Sequence, residues 1–374
     1  MTKHLESYRR YFKITERYAY LDNALTSPIS TRVSGAIHKF LKERSLQTDL
    51  VSNNWKDAVE TTRELAARLI GTRAENVALL SHTSDGINTV AMGTRWKSGD
   101  SIITTDLEFP SNLYPWLHLQ RYGVKVKIVK HQKDGTITLD QIRNRIDSKT
   151  RMIAISHVQY SNGFKIDLKE LFEIAEQEQI LLSVDAIQSV GALKVDSSWC
   201  DYLSAGGHKW LLAPFGVAIF YEKNPSALEP PFVGWKSVED YSSYLTLGPK
   251  LDLANGASKF ETGSHDYSAI YGFREALKLI LEIGISEIER HIFYLTDLFI
   301  DGVKKMGFEI QTPEAHGERG GIVNMKVDDP EVQVKKLAKK NIIVSARMNG
   351  IRVSPTFYNN EEDINKLLRA LRTL

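Results

Sequence analysis

Cysteine is almost missing from this chain: Cys200 is the only one in 374 residues. A disulfide framework within the chain is therefore excluded, and a metal site built on several thiolates is not expected. An excess of one charge is missing too. Lys and Arg number 48 against 46 Asp and Glu, a formal net charge of +2. Nucleic acid is held by concentrated basic surface, so it is not an expected partner. No apolar run is long enough to cross a bilayer, and no membrane association is expected. The opening MTKHLESYRRYF has no apolar core of a secretory signal, which makes the cytoplasm the expected compartment. Neither G-x-G-x-x-G nor G-x-x-x-x-G-K-[ST] follows a strand pattern, which argues against a nucleotide-binding protein. His82, His157 and His265 lack metal-ligand spacing, so no metal is expected.

What is present is alternation. NWKDAVETTRELAARLIG carries apolar residues at helical spacing, with Asn54 expected to cap its start and Gly71 its end. Short β-rich runs follow: NVALLS, SIITTDL, KVKIV, MIAIS, ILLSVD and GVAIFY. Helical patterns separate most of them, one of them near Leu168 to Gln179. Strand–helix–strand alternation predicts an α/β fold with a mostly parallel sheet covered on both faces. After GVAIFY the periodicity weakens over residues 224–267, then two helices are expected at about 268–282 and 286–305. The chain ends in a small α+β pattern: FEIQT, GIVNMKV, a Lys-rich helix, NIIVSAR, IRVSPTF and a helix from Glu361. The expected division is a large α/β domain over 16–255 and a smaller one over 256–374. Whether residues 1–15 pack on the smaller one stays open.

Three segments carry chemistry. In GGHKW, Lys209 sits in a Gly-flanked turn after the strand pattern YLSA, where an amine can be presented to a carbonyl. An isolated G-H-K is ordinarily a surface loop, so the neighbouring segments decide. In LLSVDAIQSVG, Asp185 ends an apolar strand, where a buried carboxylate is costly unless it meets a cation or strong donors. A protonated pyridine nitrogen is such a cation. Gln188, three residues on, can donate to a ring hydroxyl oxygen. In LLSHTSDGINTVAMG, a strand ends near Leu80 and a helix is expected to start near Asp85 to Ile87. Thr83 and Ser84 then bring hydroxyls and free N–H groups to a helix N-terminus, which suits a phosphate.

Taken in chain order, the phosphate turn, a ring-stacking residue, the strand-end Asp with Gln and then His-Lys, these elements resemble the class V aminotransferase-type enzymes of pyridoxal phosphate (PLP) fold type I. That family also includes cysteine desulfurases, isopenicillin-N-epimerase-like proteins and kynureninases. The likeness runs from LDNALTSP to the last Arg-containing segment. It implies pyridoxal 5′-phosphate as cofactor, a large-plus-small-domain fold, a homodimer with the site at the subunit interface, and a small amino acid as substrate. It implies Lys209 as the Schiff-base lysine, Asp185 on the pyridine nitrogen and Gln188 at the ring hydroxyl. Thr83, Ser84 and His208 would hold the phosphate, joined by Ser264 of KFETGSHD from a neighbouring subunit. Phe109 of EFPSN falls where a side chain stacks on the ring. Either Gln159 or Tyr160 of HVQYSNG would contact the ring hydroxyl. Arg352 of IRVSPTFYNNEED matches the arginine that grips the α-carboxylate, with Arg347 assisting; a guanidinium suits that task because it offers two parallel bonds.

Two departures narrow the subclass. Desulfurases of this kind stack a His on the ring, where this chain has Phe109, which cannot move protons. They also need a sulfur-accepting Cys on a loop before the carboxylate-binding Arg. Only Met348, Asn349, Gly350 and Ile351 separate Arg347 from Arg352, and Cys200 lies elsewhere with packing as its expected role. Persulfide-forming desulfuration is therefore disfavoured. VGWKSVEDY resembles the epimerase-like branch, with Trp235 and Tyr241 either lining the substrate pocket or packing at a subunit interface. The expected reaction is transamination through Lys209, with an epimerase or C–S lyase as the alternative and a non-catalytic binding protein disfavoured.

Overall fold

The computed structural model describes residues 3–47, 52–241 and 251–373. Its centre is a sheet of seven strands: β1 (Val77–Leu80), β2 (Ser101–Thr105), β3 (Lys125–Val129), β4 (Thr150–Ser156), β5 (Leu181–Asp185), β6 (Tyr202–Gly206) and β7 (Ala218–Glu222). The spatial order is β1-β7-β6-β5-β4-β2-β3, parallel from β6 to β3, with β7 antiparallel to both its neighbours. The expected mostly parallel sheet is thus observed. β5 and β6 are buried on both faces because helices lie above and below them.

Local chemistry explains the helices. Asp167 accepts from the Glu170 N–H at 3.0 Å and opens Leu168–Gln177, whose Leu168, Leu171, Phe172, Ile174 and Ala175 are buried. Asn360 and Asp363 form a capping box at Glu361–Leu371, the start the sequence indicated. Helix Ser52–Ile70 begins two residues before the expected cap, so Asn54 lies inside it; Gly71, at φ +73°, does end it. FEIQT forms only an isolated bridge, Ile310 to Met325, and NIIVSAR breaks in two. Its first half, Ile342–Ile343, pairs in parallel with Ala19–Tyr20. Its second half, β9 (Ser345–Arg347), forms a hairpin with β10 (Gly350–Val353), which also pairs with β8 (Val323–Lys326). The hairpin turn is Met348–Asn349 alone, both left-handed at φ +46° and +56°.

We keep the division at residue 255 as a proposal; the apolar clusters add detail to it. Helix Tyr267–Ile283 packs on Thr31–Gln47 and Ser52–Ile70 and belongs to the core under the large sheet. The second core begins at Leu295 and takes in Ala19 and Leu21 from the start of the chain. The N-terminal helix Lys3–Arg9 bridges the two. Leu5, Tyr8 and Phe12 join the large core, while Arg9 pairs with Asp363 at 2.7 Å.

Candidate active site

The carboxyl ends of β2, β4, β5 and β6 lie side by side, where parallel α/β sheets bind ligands. Asp185 is the last residue of β5 and 3% exposed. One carboxylate oxygen accepts from the Ile187 N–H at 3.0 Å. Burial pushes its pKa up to about 7; that bond and the Lys209 charge oppose the rise, and Glu108 adds to it. Lys209 follows β6 by three residues. Its turn is pinned by the Gly207 N–H to Val217 O (2.8 Å) and the Ala213 N–H to Gly207 O (2.9 Å). A Cβ on Gly207 would meet Ala213 at 2.9 Å, so glycine is needed for the close approach. Burial pushes the Lys209 amine down to about 8, with Arg352 and Arg347 adding to the fall and Asp185 opposing it. The amine lies 5.7 Å from the centre of the Phe109 ring.

Beyond β1, the helix Thr83–Gly93 starts two residues earlier than the sequence indicated, because Asp85 accepts from the His82 N–H at 3.1 Å and caps it there. Thr83 and Ser84 are therefore its first two residues. Thr83 Oγ1 accepts from the Gly206 N–H at 2.9 Å, tying the helix to the end of β6. Ser84 Oγ donates to Ser111 Oγ at 3.0 Å. His208 stacks on Phe215 (4.6 Å, 20°) and is pushed down to about 4, by burial first and then by Lys209 and His82. It is a neutral donor or acceptor at neutral pH.

Phe109 is 43% exposed, so a ring face stays open, and Tyr160 meets it edge-on at 5.1 Å. Gln159 is 1% exposed and donates to Glu108 at 2.7 Å, while its Oε1 has no partner. Gln188 is engaged on both sides of its amide. Its Oε1 accepts from Trp210 Nε1 at 2.8 Å and its Nε2 donates to Ala24 O at 3.0 Å, which leaves a single N–H for any ring contact.

Both arginines act on the charge of Lys209, and each already has a partner in the chain. Arg352 is 1% exposed and held in place: it donates to Tyr160 O (2.8 Å), Ser345 Oγ (3.2 Å) and Asp22 Oδ1 (3.1 Å), which leaves two of its five N–H donors. A buried guanidinium needs a counter-charge, and Asp22 supplies it. Arg347 is half-buried, and its Nη1 donates to Ala346 O at 2.6 Å.

Ser264 and Trp235 lie in the chain between β7 and the helix Tyr267–Ile283. Ser264 is exposed and lines a cavity of about 700 Å3 with Asp85, Asn88, Gly216 and His265. Trp235, 49% exposed, packs against Tyr241 (5.6 Å) and Lys236. His82 pairs with Asp85, His265 pairs with Glu261, and His157 is buried and pushed down to about 3. Among the described residues no group of three His, Cys, Asp or Glu could hold a metal. Glu108 and Asp22 were missed by sequence reasoning. The signal for Glu108 was a charged residue three positions after a buried strand and next to Phe109; Asp22 carried none.

These residues fit pyridoxal phosphate. Asp185 is a buried carboxylate lacking a full counter-charge, Phe109 offers an open aromatic face, and Lys209 supplies an amine of lowered basicity. Thr83, Ser84 and His208 gather at the N-terminus of an eleven-residue helix.

The aminotransferase class-V family model matches residues 19–370. An uncharacterized aminotransferase of Bacillus subtilis, YcbU, is 30% identical over 96% of this chain and 95% of its own. A probable cysteine desulfurase of Methanothermobacter thermautotrophicus is 28% identical over 99% and 98%. The solved apo cysteine desulfurase from Thermococcus onnurineus superposes with a TM-score of 0.89 at 25% identity, covering 98% of this chain and 97% of that one. The cystine C–S lyase C-DES, in complex with its reaction product cysteine persulfide, gives 0.88 at 23% over 96% and 98%, a likeness of fold.

Proposed function

This chain belongs to the aminotransferase class-V family, and on that premise we propose that it transaminates a small amino acid through Lys209. Its fold is PLP fold type I and its cofactor is pyridoxal phosphate. When bound, the cofactor supplies an electron sink for charge developing at the substrate Cα. Lys209 Nζ removes the Cα proton. Burial lowers the basicity of that amine, so more of it is unprotonated at neutral pH than of an exposed lysine. Asp185 holds a proton on the pyridine side of the site. Thr83, Ser84 and His208 bind the phosphate, Phe109 covers a ring face, and Arg347 with Arg352 orients the carboxylate. The observation that carries this reading is the Lys209–Asp185 pair at neighbouring strand ends, each pushed toward its neutral form by burial.

Persulfide formation is disfavoured on two grounds. Cys200 is 1% exposed, its thiol is pushed up by burial, and it points to the Ser197 carbonyl. The two-residue turn Met348–Asn349 leaves no loop before Arg352 to carry a sulfur acceptor. An epimerase or C–S lyase would use the same Lys209 and differ in where the next proton or bond goes. We further propose a homodimer in which Ser264 completes the partner's phosphate site, and a cytoplasmic location. No helix among the described residues is long and apolar enough to cross a membrane.

The test has two steps. Wild-type protein titrated with pyridoxal phosphate should acquire a visible band that Lys209→Ala does not, and identical spectra would sink the assignment of Lys209. An amino-acid panel without added keto acid should then yield one equivalent of keto acid per site. Sulfide or pyruvate release indicates lyase chemistry, an inverted enantiomer indicates epimerisation, and alanine with thiol-bound sulfur indicates desulfuration.

A further inference from the structure

Glu108 is 6% exposed, and its carboxylate is surrounded by donors. It accepts from Thr105 Oγ1 (3.0 Å), Asn112 Nδ2 (2.8 Å), the Ser156 N–H (3.0 Å), Ser156 Oγ (2.5 Å) and Gln159 Nε2 (2.7 Å). These donors come from three places: the end of β2, the turn after Phe109, and the end of β4 with the loop behind it. Ser156 is the register partner of Asp185, and the His157 N–H donates to the Asp185 carbonyl at 3.0 Å. Glu108 thus ties the segment bearing Phe109 to the strand ends bearing Asp185.

Its second consequence is the orientation of Gln159. A carboxylate only accepts, so the Gln159 amide must turn its NH2 toward Glu108 and its oxygen away. That oxygen is buried and without a partner, an expensive arrangement unless something donates to it.

We propose that Glu108 is a positioning residue for the cofactor: a buried anion that locks the Phe109 turn to the Asp185 strand ends and makes Gln159 present an acceptor to the bound ring. It acts through Phe109 and Gln159 and touches no reacting atom. The proposal rests on the cofactor being pyridoxal phosphate.

The test compares Glu108→Gln and Thr105→Val with wild-type protein by pyridoxal phosphate titration and by visible circular dichroism of the bound cofactor. The dichroism reports how rigidly the ring is held, independently of turnover. Glu108→Gln keeps the shape but turns an NH2 against donors. Expected are cofactor binding weakened about tenfold or more, a diminished visible dichroism per bound cofactor, and an unchanged far-ultraviolet spectrum. Thr105→Val removes one donor and leaves Glu108 in place; binding weakened about two- to fivefold is expected, and this variant decides the matter if Glu108→Gln does not fold. The double variant Glu108→Gln/Gln159→Glu restores a matched donor and acceptor and should recover part of the dichroism. Cofactor affinity and dichroism at wild-type values in the folded variants would overturn the proposal, even with a lower unfolding temperature, because Glu108 would then serve stability alone. If wild-type protein binds no pyridoxal phosphate, the cofactor assignment fails first.

Discussion

Asp185 and Lys209 are moved in opposite directions by one cause: burial opposes either charge, and each partly rescues the other. Linkage turns this into a stability prediction. The Asp185 pKa is raised in the fold, so its contribution is fully present below the unfolded value near 3.8 and is lost as pH rises through about 7. Apo Asp185→Asn lacks that loss. The difference in melting temperature, variant minus wild type, should therefore grow from pH 4 to pH 7.5, and thermal scans across that range check it. The arginines make a contrasting pair. Asp22→Ala strands the buried Arg352 guanidinium and should cost about 3 kcal/mol or more in denaturant unfolding. Arg347→Gln touches no carboxylate pair; it should raise KM about tenfold while the unfolding midpoint barely moves.

At the level of elements, helix Thr83–Gly93 depends on contact as much as on propensity. Alanine is the better helix former by about 1 kcal/mol, yet a Cβ on Gly86 would press on Ser204 of β6 and lie 2.9 Å from Phe220 of β7. Gly86→Ala should therefore destabilise by about 1–3 kcal/mol, readable in urea unfolding, and should weaken cofactor binding by shifting Thr83 and Ser84. The β9–β10 hairpin makes the complementary point. Its two-residue turn follows from short strands that must fit Arg352 against Asp22 and Ser345, so a longer loop there would move the guanidinium. Both elements were visible in the sequence as patterns, but the helix start depended on the cap between His82 and Asp85, and the split of NIIVSAR and the failure of FEIQT to form a strand on partners elsewhere.

For the whole molecule, the proposed dimer is the main open assembly. Phe215 and Phe232 are 69% and 72% exposed, and Phe232 lines the same cavity as Ser264. Single exposed aromatics are common, but one lining a concavity, with a second next in the chain to Gly216 of the same lining, is what a covered face would use. Sedimentation should give twice the chain mass, Phe232→Asp should lower it, and cofactor affinity should fall with dissociation. A monomer with full activity would remove the shared-site role of Ser264.

Periodicity in the sequence determined the α/β class, the strands of the parallel sheet and the helices between them, because side-chain period and chain punctuation are local properties. The sequence also indicated where the candidate groups would stand: Asp185 at a strand end, Lys209 in a Gly turn, Thr83 and Ser84 close to a helix start. Only the tertiary structure decided how those groups are occupied. Arg352 meets Asp22, 330 residues away, Gln188 meets Trp210 and Ala24, and Glu108 gathers donors from three segments. A hydrogen bond or ion pair is set by which atoms meet in space, and no local pattern encodes that. Tertiary packing also turned Lys209 from a lysine in a loop into an amine of lowered basicity, because burial and neighbouring charge act only once the strand ends are brought together.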